Sequence, residues 1–126
     1  AAKYADTSHC AFNPSYAVLD QTLNALRKHC ESVRRNFDDI RKGISVAPII
    51  GSTRDEVEAK ISQRAHRLGM ALDEYRNRLG PAIGTPEQCT EAMRKYIDKG
   101  VSLFTIGFLN LEDARLFADE IMPKLR

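Results

Sequence analysis

Between residues 84 and 108 a well-capped helix runs straight into an apolar strand. No other feature narrows the fold of this chain as much. Thr85 is placed to cap, Pro86 takes the first helical position, and Gln88 stands three residues after the cap. Cys89, Met93, Tyr96 and Ile97 then fall on one apolar stripe, and Gly100 supplies the stop. Val101–Phe108 follows at once as an apolar strand. Asn110 caps a last helix whose inward face is Leu116, Phe117, Ile121 and Leu125, with Pro123 in its final turn or just past it.

The same alternation extends toward the N-terminus. Residues 1–5 read as the end of a helix, and residues 6–12 as a short strand. Asn13-Pro14 reads as a helix start, with Asn as the cap and Pro at the first helical position. Leu19, Leu23, Leu26, Cys30 and Val33 make that helix amphipathic. Gly43 closes the polar stretch after it. Ile44–Ile50 is then β-branched and nearly all apolar, as in a strand buried on both faces, with Pro48 near its end or at a bulge. Thr53 and Glu56 form a capping box for a helix carrying Val57, Ile61, Ala65 and Leu68. A shorter helix lies within Met70–Leu79, with Leu72, Tyr75 and Leu79, before the break at Gly80-Pro81. Strands alternating with helices imply parallel βα units in one α/β domain spanning 1–126. Three strands leave two sheet edges open.

Composition removes several function classes. Nineteen basic residues against 17 acidic ones are too balanced for a nucleic-acid or anionic-membrane partner. Arg34-Arg35 and Arg41-Lys42 read as solvated helix ends. Cys10, Cys30 and Cys89 are too dispersed for a zinc site or a disulfide framework, and fit reduced thiols in a cytoplasmic protein. No apolar run approaches the roughly 20 residues of a bilayer span. The opening residues have no apolar targeting core. They also lack an initiator Met, so a fragment or processed chain is expected.

A family resemblance rests on an ordered set of segments. These are Ala2-Lys3-Tyr4-Ala5-Asp6, Leu26-Arg27-Lys28-His29-Cys30 with Phe37-Asp38-Asp39-Ile40, Gly84-Thr85-Pro86-Glu87, Gly100-Val101 and Pro123-Lys124-Leu125. In this order they resemble the C-terminal half of the luciferase-like monooxygenases and coenzyme F-420-dependent oxidoreductases. The resemblance implies a partial TIM (β/α)8 barrel, with parallel strands six to eight and their flanking helices. A whole barrel needs about 250 residues. It also implies FMN or coenzyme F-420 as cofactor and a small-molecule substrate. In this family the residues around the reactive ring come mainly from the first strands. The glycine-rich phosphate loop precedes the Ala-x-Tyr-Ala-Asp segment. The chain alone is therefore expected to be inactive, with the other barrel half, or a second copy through the open edges, as partner. The alternative is a self-associating half-barrel that serves as a binding or structural module; an unrelated flavodoxin-like domain is the third reading.

Active sites of such barrels lie at the carboxyl ends of the strands. Those ends are expected at Ser8, His9 and Cys10, at Ile49–Ser52, and at Gly107–Asn110. Ser8 and His9 become the candidate cofactor contacts, His9 because histidine exchanges protons near neutral pH. The family often has Asn where His9 stands. Gly107 and Phe108 become the candidate substrate-lining residues. No catalytic residue is assigned and no metal is expected. His29 and His66 read as surface or packing residues, and Tyr75 and Tyr96 as packing aromatics. Asp38-Asp39 and Asp119-Glu120 are neighbours in sequence only, since adjacent helical residues point apart.

Overall fold

A computed structural model describes residues 6–108 and 110–125. The helix end expected over residues 1–5 lies outside the described residues. Strand β1 (Thr7–Phe12) leads through helix α1 (Tyr16–Ser32) to strand β2 (Arg41–Val46). Strand β3 (Ile49–Ile50), helices α2 (Arg54–Arg67) and α3 (Leu72–Arg76), strand β4 (Ile83–Gly84) and helix α4 (Pro86–Asp98) follow. Strand β5 (Val101–Ile106) then enters helix α5 (Leu111–Leu116), a widened π turn over Phe117–Ile121, and helix α6 (Met122–Leu125).

The main sheet has the order β1-β2-β5 and is parallel throughout. β3 and β4 form a separate parallel pair, Ile49 opposite Ile83 and Ile50 opposite Gly84. The expected alternation is therefore present, with two extra short strands inside the long excursion from β2 to β5.

Several boundaries differ from the sequence reading. Helix α1 is capped by Ser15, whose side chain accepts from the Val18 N–H, and not by Asn13. Asn13 instead has φ 49°. It joins two strand ends: its N–H donates to Ser45 O at 2.7 Å, and its side-chain oxygen accepts from the Ala47 N–H at 3.2 Å. The single strand expected over Ile44–Ile50 is two, broken at Ala47-Pro48, where proline cannot supply a ladder donor. Gly43 does not end the preceding region; it lies inside β2, opposite His9 and Leu103. Arg41-Lys42 is not a helix end. It opens β2, and Lys42 is buried, with Nζ donating to Phe37 O at 2.6 Å and lying 3.8 Å from the Phe37 ring centroid.

The capping of α4 is as expected, with both hydrogen bonds of the box between Thr85 and Gln88. The cap of α2 is shifted: Thr53 accepts from the Glu56 N–H, but the Glu56 carboxylate accepts from Ser52, not Thr53. Asn110 caps α5 by accepting from the Asp113 N–H at 2.8 Å. The last strand ends at Ile106, two residues before Phe108.

The main core lies on one face of the sheet. Leu19 and Leu23 of α1, Cys89, Met93 and Tyr96 of α4, and Phe117 and Ile121 of the π turn pack with Ile44 and Val46 of β2. Tyr96 is fully buried and donates to Pro14 O, tying α4 to the entry of α1. A second core joins Ile49 to Val57, Ile61, Ala65 and Tyr75 under the β3–β4 pair. Leu26, Cys30 and Ile40 form a third. Val33 and Leu68, expected on buried stripes, are both exposed because each stands at its helix's end.

Candidate functional site

Alternation along the strands puts a second set of residues on the opposite face. Register aligns His9 with Gly43 and Leu103, and Phe12 with Ser45 and Thr105. No described helix covers this face. Phe12 is 70% exposed and Leu103 41%, and His9 and Thr105 are exposed as well. A parallel sheet normally carries cover on both faces, because its crossovers place helices there or the sheet closes on itself. Here Ile44 and Val46 are buried while the neighbouring strands stay open, so only β2 fits the expectation of a fully buried strand.

The carboxyl ends of the strands converge. The Asn13 bonds hold the end of β1 to that of β2, and the Gly107 N–H donates to Val46 O at 3.0 Å, holding β5 to the other side. Gly80 packs closely on Asn13; a Cβ there would come within 2.8 Å of Asn13 Oδ1. The loop after α3 is thereby fixed against the same end.

Ser8 and His9 do not stand at that end. They are the second and third residues of β1, whose carboxyl end is Phe12-Asn13. The expected placement failed because the strand runs on past His9, through an irregularity in register at Cys10. His9 nevertheless reaches along the open face, with Nε2 2.8 Å from Ser45 Oγ. Ser8 alternates with it in the strand, and its carbonyl lies 3.7 Å from Cys10 Sγ. Gly107 and Phe108 do follow the end of β5. Gly107 is exposed with open space where a Cβ would be, whereas the Phe108 ring packs edge-on against Phe117 at 5.5 Å. Half of Phe108 is thus committed to the core margin.

Two features at this end were missed by the sequence reading. The first is an ion cluster. Asp113 is 2% exposed, its Oδ1 accepts from Lys60 Nζ at 2.8 Å, and Arg64 lies 3.9 Å from Oδ2. Lys60 also donates to Ile50 O, so one ammonium joins β3, α2 and α5. The second is a cavity of about 400 Å³ between the ends of β1 and β2 and helices α2 and α3. Its arginines, Arg64, Arg67 and Arg78, looked like ordinary helix-surface charge in sequence, and only their convergence on apolar neighbours sets them apart.

Burial pushes the Cys89 thiol up to about 12, and burial also raises Cys10. No set of three or more histidine, cysteine or carboxylate groups suited to a metal occurs among the described residues. No helix among them is long and apolar enough to cross a membrane.

No protein-family model matches the chain, and no curated protein matches it in sequence. Solved structures do match in fold. An F-420-dependent secondary alcohol dehydrogenase superposes over 99% of this chain with TM-score 0.71 and 12% identity. The long-chain alkane monooxygenase LadA covers 98% with TM-score 0.69 and 18% identity. A coenzyme F-420-dependent tetrahydromethanopterin reductase from Methanopyrus kandleri covers 99% with TM-score 0.65 and 13% identity. What is shared at such identity is the fold. This chain spans 44%, 37% and 47% of those three chains, respectively, less than half of each.

Proposed function

We propose that this chain is the closing part of a luciferase-like (β/α)8 barrel, carrying strands six to eight, in an oxidoreductase or monooxygenase that uses coenzyme F-420 or FMN. The observation that carries the reading is the one-sided sheet. Helices cover the face of Ile44 and Val46, while on the other face His9, Phe12, Leu103 and Thr105 of the outer strands are exposed, as on the interior face of an incomplete barrel. The three solved structures that share the fold are redox enzymes by name and are more than twice as long. The ordered segments from Asp6 to Pro123 support the same family.

The residues present suit one margin of a flat ring system. The His9–Ser45 pair offers a polar edge on the open face, beside Leu103, which lies over Gly43. When bound, the coenzyme supplies the electron or hydride chemistry. The chain's own part is narrower: His9 and Ser45 orient a polar group, Gly107 leaves room beside the strand end, and Phe108 helps to exclude water. Ser8 stays with His9 in the proposal as the neighbouring cofactor contact on β1. The remaining contacts, including those to a phosphate, fall to the other barrel half, and this chain alone is inactive.

Equilibrium titration with F-420 and with FMN, followed by quenching of coenzyme fluorescence, tests the reading. The chain alone is expected to bind neither, and the chain joined to the remainder of its barrel to bind one of them. His9→Ala in the joined protein is expected to weaken that binding about threefold to tenfold. Failure of the joined protein to bind either coenzyme would sink the proposal. The second reading, a self-associating module, draws on the same exposed Phe12 and Leu103, and places another copy of the chain on the open face.

A further inference from the structure

The cavity at the strand ends combines two properties that seldom meet by accident. Its floor is apolar: Phe12, Leu68, Tyr75 and Leu79 line it, and Leu68 is 62% exposed beside the 70% exposed Phe12. Its rim is cationic, with Arg64, Arg67 and Arg78, and no carboxylate lines it. Two of these arginines have a carboxylate nearby: Arg64 lies 3.9 Å from the buried Asp113, and Arg78 3.4 Å from the exposed Glu74. Asp113 is held more closely by Lys60, at 2.8 Å, and Glu58 pairs with Arg76. Arg67 has no ion-pair partner among the described residues. Arg64 and Arg67 lie three apart on α2, so their guanidinium groups rise from one helix face. Arg78 approaches from the loop after α3, across the apolar floor.

We propose that this pocket binds a small organic anion: a molecule with an apolar ring or chain ending in a carboxylate. Arg67, with no ion-pair partner among the described residues, and Arg78, paired with the exposed Glu74, stand with Arg64 on one concave rim and favour a planar oxyanion, which arginine holds through paired N–H donors. The apolar floor discriminates against bare inorganic anions, which bring nothing to bury. A volume of about 400 Å³ suits a ligand the size of a bicyclic acid and is too small for a folded partner's surface. The pocket opens at the ends of β1 and β2, the same end of the sheet as Gly107, so a bound acid would lie beside the strand termini. This inference stands on the pocket alone. It goes beyond the redox proposal and does not depend on it.

The test is a titration of the chain with 2-naphthoate, followed by backbone amide shifts in nuclear magnetic resonance. 2-Naphthalenemethanol serves as the neutral analogue and acetate as the anion without an apolar body. Saturable shifts are expected for 2-naphthoate at Asn13, Ala47 and Leu68, with binding of the alcohol and of acetate at least tenfold weaker. The pair Arg67→Gln and Arg78→Gln, both exposed and away from the core, is expected to lower naphthoate affinity about tenfold and leave the alcohol unchanged. Leu68→Ser is expected to weaken acid and alcohol together. Equal binding of acid and alcohol, shifts mapping elsewhere, or no saturable binding of the acid would each overturn the proposal. Coenzyme binding is measured separately, so loss of either result leaves the other standing.

Discussion

Cys89 shows how a single side chain couples burial to pH. It is fully buried between α4 and β3, and its thiol is pushed from its ordinary value of about 9 up to about 12 by desolvation. The folded protein therefore keeps the thiol protonated where the unfolded chain releases its proton. Stability is whole below pH 9 and falls as pH rises from there toward 12, by up to about 1.4 kcal/mol per unit. Urea unfolding at pH 8, 9 and 10 should show this slope in the wild type and a flatter one in Cys89→Ala; parallel profiles would refute the burial argument. Gly84 makes a second point. It has φ 135°, and a Cβ there would collide with the Gln88 side chain, inside the capping box. Gly84→Ala is expected to cost about 2–3 kcal/mol through strain and the lost cap. Gly100→Ala, at φ 107° but with nothing within 4 Å, is expected to cost about 1 kcal/mol. Thermal melting of the two variants distinguishes these costs. Gly84 was legible in sequence as the residue before a cap. Its contact with Gln88 was not, because that depends on how the two side chains of the box fold back on the backbone.

Elements were legible where local chemistry sets their limits. The box of α4, the Asn110 cap of α5 and the stripe Leu19-Leu23-Leu26-Cys30 each lie within about three turns of chain, and each is present. Boundaries moved where a distant partner competes. Asn13 is a good cap by type, yet the carbonyl of Ser45 and the amide of Ala47 claim it, and Ser15 caps instead. The last helix widens over Phe117–Ile121, one turn before Pro123. Proline has no N–H for the usual bond four residues back, and the wider turn keeps Phe117 and Ile121 both buried. Lys60 links three elements through Asp113 and Ile50 O. Asp113→Ala leaves that ammonium facing a half-buried gap and removes no large apolar area. A loss of about 2–3 kcal/mol is expected by chemical denaturation. Lys60→Met should cost more, since it leaves the buried Asp113 carboxylate without its partner at 2.8 Å, and a double-mutant cycle should show coupling between the two sites. Additive effects would mean that Asp113 acts only at its own helix turn.

At the scale of the molecule the unmatched feature is the open sheet face. Phe12 and Leu103 stand beside His9, Ser45 and Thr105 on that surface, and among the described residues both outer strands keep an unpaired edge. The chain alone is expected to associate. Light scattering coupled to size exclusion at about 10 µM should give a mass above 14.2 kDa, and Phe12→Lys with Leu103→Lys should return it toward the monomer. A wild-type chain that stays monomeric and melts cooperatively would show that the open face needs no cover.

By itself the sequence determined the order of the long elements, though not the short β3–β4 pair: parallel βα units, with helix starts written in Thr85, Asn110 and Thr53 and an apolar stripe on each long helix. Those properties depend on neighbours a few residues away, so local patterns suffice to read them. The tertiary structure alone decided which face of each strand meets helices, why His9 faces Ser45 and not a strand end, and where Arg64, Arg67 and Arg78 converge. Each of these joins residues from separate elements across the fold. Register and packing settle such contacts, and a one-residue shift in register reverses every side chain of a strand.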